Sequence, residues 1–123
     1  AQGRQILIFP EGTRREVGAP PEYKAGIVTL YQELKLPVVP IAHNAGLYWP
    51  NKSRLRYKGT IRIKILPPIQ PGLDKKSFMK RLIEETEAAC DDLLVAAARS
   101  KNPPALPATA LQRLTQLQKE AEE

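Results

Sequence analysis

The sequence has 123 residues, a formal net charge of +6 and one cysteine, Cys90. That length suits one domain with a modest core, and a lone cysteine excludes an internal disulfide and suggests no metal cluster. The longest apolar run, residues 36–42, holds two prolines and falls far short of the ~20 residues that a membrane-spanning helix needs. Charge is unevenly placed: residues 1–73 carry eleven Lys+Arg against four Asp+Glu, and residues 74–123 carry eight against nine. The first half therefore sets up a positive field suited to phosphorylated small molecules, anionic lipid surfaces or nucleic acid.

Ile6, Leu7, Ile8 and Phe9 form a short apolar run, which predicts a strand buried on both faces. Pro10 has no backbone N–H and takes the chain out of a sheet. Entering such a strand almost at once, with nothing before it as cover, the chain is expected to be the C-terminal part of a longer domain. Residues 15–22, with Gly18, Pro20 and Pro21, predict a loop. From Tyr23 or Lys24 to about Lys35 the pattern is helical, with Ile27, Leu30, Tyr31 and Leu34 on one face. Pro37 ends that helix, and residues 38–42 predict a second buried strand, with Pro40 at an end, edge or bulge. Strand, helix and strand make a βαβ unit with a right-handed crossover.

A turn with Leu47, Tyr48 and Trp49 follows. Residues 60–65 then alternate, isoleucines facing one way and basic residues the other, which predicts a one-sided strand with its charges in water. Asp74 or Ser77 is suited to cap a long helix. Its stripe is Met79, Leu82, Ile83, Thr86, Cys90, Leu93, Leu94 and Ala97, and it runs to about Ser100. Cys90 on that stripe reads as a small buried hydrophobe. Residues 101–108 read as a proline-rich linker, and a final short helix from Thr109 carries Leu111, Leu114 and Leu117. The predicted class is α/β: a partial sheet with a βαβ unit, a one-sided strand and C-terminal helices packed against it. Residues 1–100 form the domain part, 101–108 the linker and 109–123 a short helix or frayed tail.

Candidate chemistry gathers where the first strand ends, the place where α/β sheets bind ligands. Gly12 permits a tight turn or a close ligand approach, Thr13 offers a hydroxyl, and the planar fork of Arg14 suits a phosphate or carboxylate; the plain alternative is a surface arginine. Glu11 has three readings: it orients Arg14, accepts a bond from a substrate hydroxyl, or is simply solvated. Lys24 opens a helix, where a cation opposes the macrodipole; it serves a ligand or is a solvated lysine. Gly26 in the first turn costs helix propensity and is suited to close packing against the ligand loop. His43 is the single histidine, and a base needs a nucleophile and an orienting partner, so it reads as a loop or ligand-proximal residue. Lys52, Arg54, Arg56 and Lys58, with Trp49 before them, suit an anionic bilayer surface or a solvated hairpin. No helix has a basic reading face, which argues against a nucleic-acid module.

Phe9, Pro10, Glu11, Gly12, Thr13 and Arg14 resemble the third sequence block of the glycerolipid acyltransferases of the 1-acylglycerol-3-phosphate O-acyltransferase type. Tyr23, Lys24, Ala25 and Gly26, followed by residues 36–42, resemble later blocks of that family in the expected order. The resemblance covers roughly residues 3–68 well. It implies transfer of a fatty acyl group from acyl-CoA or acyl carrier protein to a lysophospholipid acceptor, with no other cofactor. It also implies a membrane-associated protein on the cytoplasmic face. It further implies that Glu11, Gly12, Thr13 and Arg14 hold the phosphate end, that Lys24 and Gly26 border it, and that Pro40 shapes the strand end near the acyl groove. The family's catalytic pair is a His with an Asp five positions on; five positions after His43 stands Tyr48. The catalytic pair is therefore expected in a missing N-terminal half of the same domain. If the chain is complete as given, the rival reading is a non-catalytic, anion-binding remnant of the fold at a membrane surface.

Overall fold

A computed structural model describes residues 3–12, 16–50, 56–101 and 103–122. Helix α1 (Gly26–Leu34) is followed by strand β1 (Ile41–His43) and a single helical turn, α2 (Ala45–Tyr48). Strand β2 (Ile63–Ile65), the long helix α3 (Lys75–Ala98) and helix α4 (Ala108–Glu122) complete the order. The α/β class, the partial sheet and the C-terminal helices packed on it are as the sequence predicts.

The sheet differs in detail. β1 and β2 pair antiparallel, Ile41 with Ile65, Ala42 with Lys64 and His43 with Ile63. Pro40 cannot donate to a ladder, and it interrupts this one: Val38 makes its own antiparallel bridge to Ile69 before Pro40, and the Pro40 carbonyl accepts from the Leu66 N–H. At the other end the Asn44 side chain extends the pairing, its Oδ1 accepting from the Arg62 N–H at 2.7 Å. Residues 6–9 are not a buried strand. They have no strand partner among the described residues, and Ile6, Leu7 and Phe9 are exposed, Leu7 at 76%. An apolar run becomes a strand only where another backbone accepts its hydrogen bonds. The parallel partner expected for a βαβ unit is therefore absent among the described residues. Only Ile8 turns inward, against the core beside α1.

The alternation of residues 60–65 is present and its charges are in water as expected, but its isoleucines are exposed as well. Ala42, 1% exposed, and its partner Lys64 share the face toward α3, where the Lys64 ammonium lies 3.2 Å from the Asp92 carboxylate. Directly paired residues point the same way, so Ile41, Ile63 and Ile65 look out from the opposite face, Ile63 at 65% and Ile65 at 70% exposure. Alanine lets the helix approach, while the long lysine stem passes beside it with its charge at the rim.

Two cores result. In the first, Ile27, Val28 and Tyr31 of α1 meet Ile69 and Phe78 and Leu82 of α3. The Tyr31 ring stacks on Phe78 at 3.8 Å, and its hydroxyl donates to the Gln70 carbonyl and accepts from the Leu73 N–H. Leu34, expected on the α1 stripe, is instead exposed. Lys35, at φ 53°, closes α1 in the left-handed region, its N–H on the Tyr31 carbonyl. Asp74 caps α3 as expected, accepting from the Ser77 N–H at 3.2 Å. The Ser77 hydroxyl first, and then this N–H, hold the exposed Asp74 carboxyl below its ordinary pKa. The second core joins Leu47 and Tyr48 of α2, Leu94 and Ala97 of α3, and Ala110 of α4. Thus α4 docks: Ala110 is buried and Leu114 of the expected stripe packs against this core, while Leu111 of that stripe is exposed.

Candidate functional site

The turn after residue 9 is built from its sequence. The Gly12 N–H donates to the Phe9 carbonyl at 2.9 Å, closing a four-residue turn with Pro10 second and Gly12 last. Proline presets the backbone angle wanted at that second place, and Gly12 leaves the turn at φ +71°, where a Cβ would be strained. The chain then returns to this turn. The Lys24 N–H donates to the Pro10 carbonyl at 2.8 Å, and the Glu22 N–H donates to Glu11 Oε2 at 3.0 Å. The Glu11 carboxylate thus accepts a backbone bond across the loop, a partner that none of its three readings named.

These bonds set the turn against the start of α1 and leave a cavity of about 450 Å³ between them. Apolar Ile8, Phe9, Pro10, Ile27 and Leu30 line it, with Gly12, Gly26, Thr29 and Lys24 completing the wall. Lys24 supplies the cationic head among these lining residues. Gly12 comes close to it: a Cβ on Gly12 would meet Lys24 Cγ at 3.9 Å. The close packing expected of Gly26 is not seen among the described residues: no described heavy atom lies within 4 Å of where its Cβ would be. An apolar slot with one ammonium at its wall is chemically suited to an amphiphile with an anionic end.

Of the residues singled out from sequence, Glu11, Gly12, Lys24 and Gly26 come together here. Thr13 and Arg14 lie outside the described residues, as do Lys52 and Arg54. Pro40 is buried at the head of β1 and does not line the cavity. His43 ends β1 with its Nδ1 accepting from the Ala45 N–H at 3.2 Å, a local cap on the α2 turn. Trp49 is half exposed, with the Arg56 guanidinium 4.0 Å over its ring, and Lys58 is exposed. Among the described residues no group of acidic, histidine and cysteine side chains could hold a metal ion, and no helix is long and apolar enough to cross a membrane.

Sequence reasoning missed a polar cluster behind the loop. The Tyr23 hydroxyl donates to Glu87 of α3, and burial first, then the Glu87 charge, pushes the Tyr23 pKa upward. Burial also raises the Glu87 carboxyl above its ordinary value; the Tyr23 bond opposes this, and the charges of Glu11 and Asp91 add to it. Cys90, half-buried one turn along, is pushed up to about 12 by burial and the same carboxylates. Tyr23 and Glu87 are 64 positions apart in the chain, and no local pattern signals the pair.

Glu87 supplies a test of that cluster. A carboxyl whose folded pKa is raised costs stability where it is charged, above its folded pKa, and costs nothing below the unfolded value near 4.3. Glu87→Gln keeps an acceptor for Tyr23 and removes the charge. Its thermal midpoint is expected to exceed the unsubstituted chain's at pH 7, with the gain vanishing below about pH 4. A loss at pH 7 in melting curves would show that the charge itself holds Tyr23.

The sequence is similar to those of known proteins. The family model described as "Acyltransferase" matches residues 1–44. A 1-acyl-sn-glycerol-3-phosphate acyltransferase of Pseudomonas aeruginosa is 40% identical over 87 residues, 71% of this chain and 34% of that protein. The human 1-acyl-sn-glycerol-3-phosphate acyltransferase alpha is 30% identical over 69 residues, 55% of this chain and 24% of the relative. A 1-acyl-sn-glycerol-3-phosphate acyltransferase of Cocos nucifera is 28% identical over 90 residues, 72% of this chain and 29% of the relative. The chain thus spans about a third or less of the length of these relatives. No solved structure matches.

Proposed function

Because the chain belongs to the glycerolipid acyltransferase family, of the 1-acylglycerol-3-phosphate O-acyltransferase type, we propose that it supplies the phosphate- and acceptor-binding part of an acyl-transferring enzyme. The substrates are a lysophosphatidate-like acceptor and a fatty acyl thioester of coenzyme A or acyl carrier protein. The acceptor hydroxyl oxygen bonds to the thioester carbonyl carbon, the C–S bond breaks, and the thiol departs with the hydroxyl proton. The observation that carries this reading is the open apolar cavity with Gly12 and Lys24 at its wall, beside the bond from the Lys24 N–H to the Pro10 carbonyl.

In this reading Arg14 and Lys24 grip the acceptor phosphate, and charge-assisted bonds make that grip strong. Glu11, Gly12 and Thr13 complete the phosphate end and Gly26 borders it; Pro40 shapes the strand end near the acyl groove. Trp49, Lys52, Arg54, Arg56 and Lys58 face an anionic membrane on its cytoplasmic side, each nearby basic residue adding about 1 kcal/mol. The open isoleucine face of β1 and β2 seats a further part of the same domain, which holds the catalytic His and Asp.

Steady-state kinetics on the full-length enzyme test the grip. Arg14→Ala and Lys24→Ala are each expected to raise KM for the phosphorylated acceptor about tenfold, the equivalent of one charge-assisted bond, with KM for the acyl donor unchanged. An unchanged acceptor KM in both variants overturns the phosphate role. The 123 residues alone are expected to show no turnover, since no Asp follows His43 at five positions.

A further inference from the structure

The C-terminal helix reaches the same loop from behind. At the start of α4 the Thr109 hydroxyl donates to the Val17 carbonyl at 2.7 Å. Next to it, Gly18 lies at φ +86° and so close to α4 that a Cβ would fall 2.5 Å from the Thr109 carbonyl oxygen and 2.7 Å from Ala110 Cα. Ala110 itself is fully buried. One turn on, Arg113 holds α4 to α3 through two bonds to the Asp91 carboxylate, at 3.0 and 2.6 Å. Asp91 stands one turn after Glu87, the partner of Tyr23. The stretch from Val17 to Tyr23 is therefore held at one end by the Thr109 bond to α4 and at the other by Tyr23 packing on the core that Phe78 and Leu82 of α3 share. Its next residue, Lys24, borders the cavity.

We propose that α4 is a positioning element for the cavity wall, with Thr109 and Arg113 as its positioning residues. They hold residues 17–24 so that Lys24 stays beside Gly12. The consequence for ligand binding rests on the phosphate reading above; the mechanical part does not. Val17 packs on the second core, so an apolar contact also holds that end of the loop. The α4 contact adds a bond specific to a loop carbonyl, beside a glycine that admits the helix backbone.

The test uses the 123-residue chain, with amide hydrogen exchange read residue by residue and glycerol 3-phosphate as the ligand. Thr109→Val keeps the side-chain shape and removes the donor. Exchange at the Ala19, Glu22 and Lys24 amides, all bonded within the loop, is expected to speed up about tenfold, the equivalent of one lost hydrogen bond. Exchange at Leu82 should stay fixed, and affinity for glycerol 3-phosphate should fall about three- to tenfold. Thr109→Ser should restore both, and Arg113→Met should reproduce the loss. Unchanged exchange at residues 19–24, or a uniform rise across all amides, overturns the proposal. So does faster loop exchange with undiminished affinity. If the unsubstituted chain binds no glycerol 3-phosphate, the phosphate reading fails, while faster exchange confined to residues 19–24 still supports the brace.

Discussion

Phe78→Ala is expected to lower the unfolding free energy by about 3–5 kcal/mol, the range for deleting a fully buried aromatic ring. Phe78 has no exposed surface, stacks on Tyr31 and touches the shell of Ile27, Val28, Ile69 and Leu82. A domain of this kind has only about 5–15 kcal/mol in total, so the variant sits at the edge of unfolding. The loss extends to the cavity, because Ile27 belongs to that core and to the cavity wall. Urea titration followed by far-ultraviolet circular dichroism measures it. A loss below about 1 kcal/mol, typical of surface positions, would show that α1 and α3 do not meet through this ring.

Gly18→Ala is expected to cost about 2–4 kcal/mol, combining left-handed backbone strain with overpacking. The added methyl meets backbone atoms of Thr109 and Ala110, not the end of a flexible side chain, so α4 must move away as a unit. Its departure uncovers Ala110 and breaks the Thr109 bond to Val17. Gly26→Ala is the matched control: the space is open, and alanine favours a helix over glycine by about 1 kcal/mol. Thermal melts of both variants should therefore move in opposite directions. Equal midpoints would mean that α4 does not press on the loop.

Local chemistry carried much of this structure in the sequence. Pro10 and Gly12 announced the turn, Pro37 the end of the first helix, and Asp74 with Ser77 the start of α3. Each acts through its own backbone or its near neighbours, so no tertiary knowledge is needed. Alternation likewise grouped Ile61, Ile63 and Ile65 on one side, but period alone does not say which side is covered. That choice is made by Ala42, whose small side chain admits α3. The run at residues 6–9 misled for a related reason: apolarity shows willingness to be buried, not the presence of a neighbour. The candidate site divides the same way. Glu11, Gly12, Lys24 and Gly26 can be grouped from sequence because a turn and a helix start bring them near one another. The Tyr23 bond to Glu87 and the Thr109 bond to Val17 join residues 64 and 92 positions apart, and no window of sequence contains either.

The outward isoleucines of β1 and β2 make the chain's behaviour in solution a contest between charge and stickiness. With a net charge of +6, copies repel one another in dilute buffer. At physiological ionic strength that repulsion fades beyond about 8 Å, while attraction between bare aliphatic faces does not. Added salt is thus a hazard for concentrated samples, and colloidal lifetime should shorten as ionic strength rises.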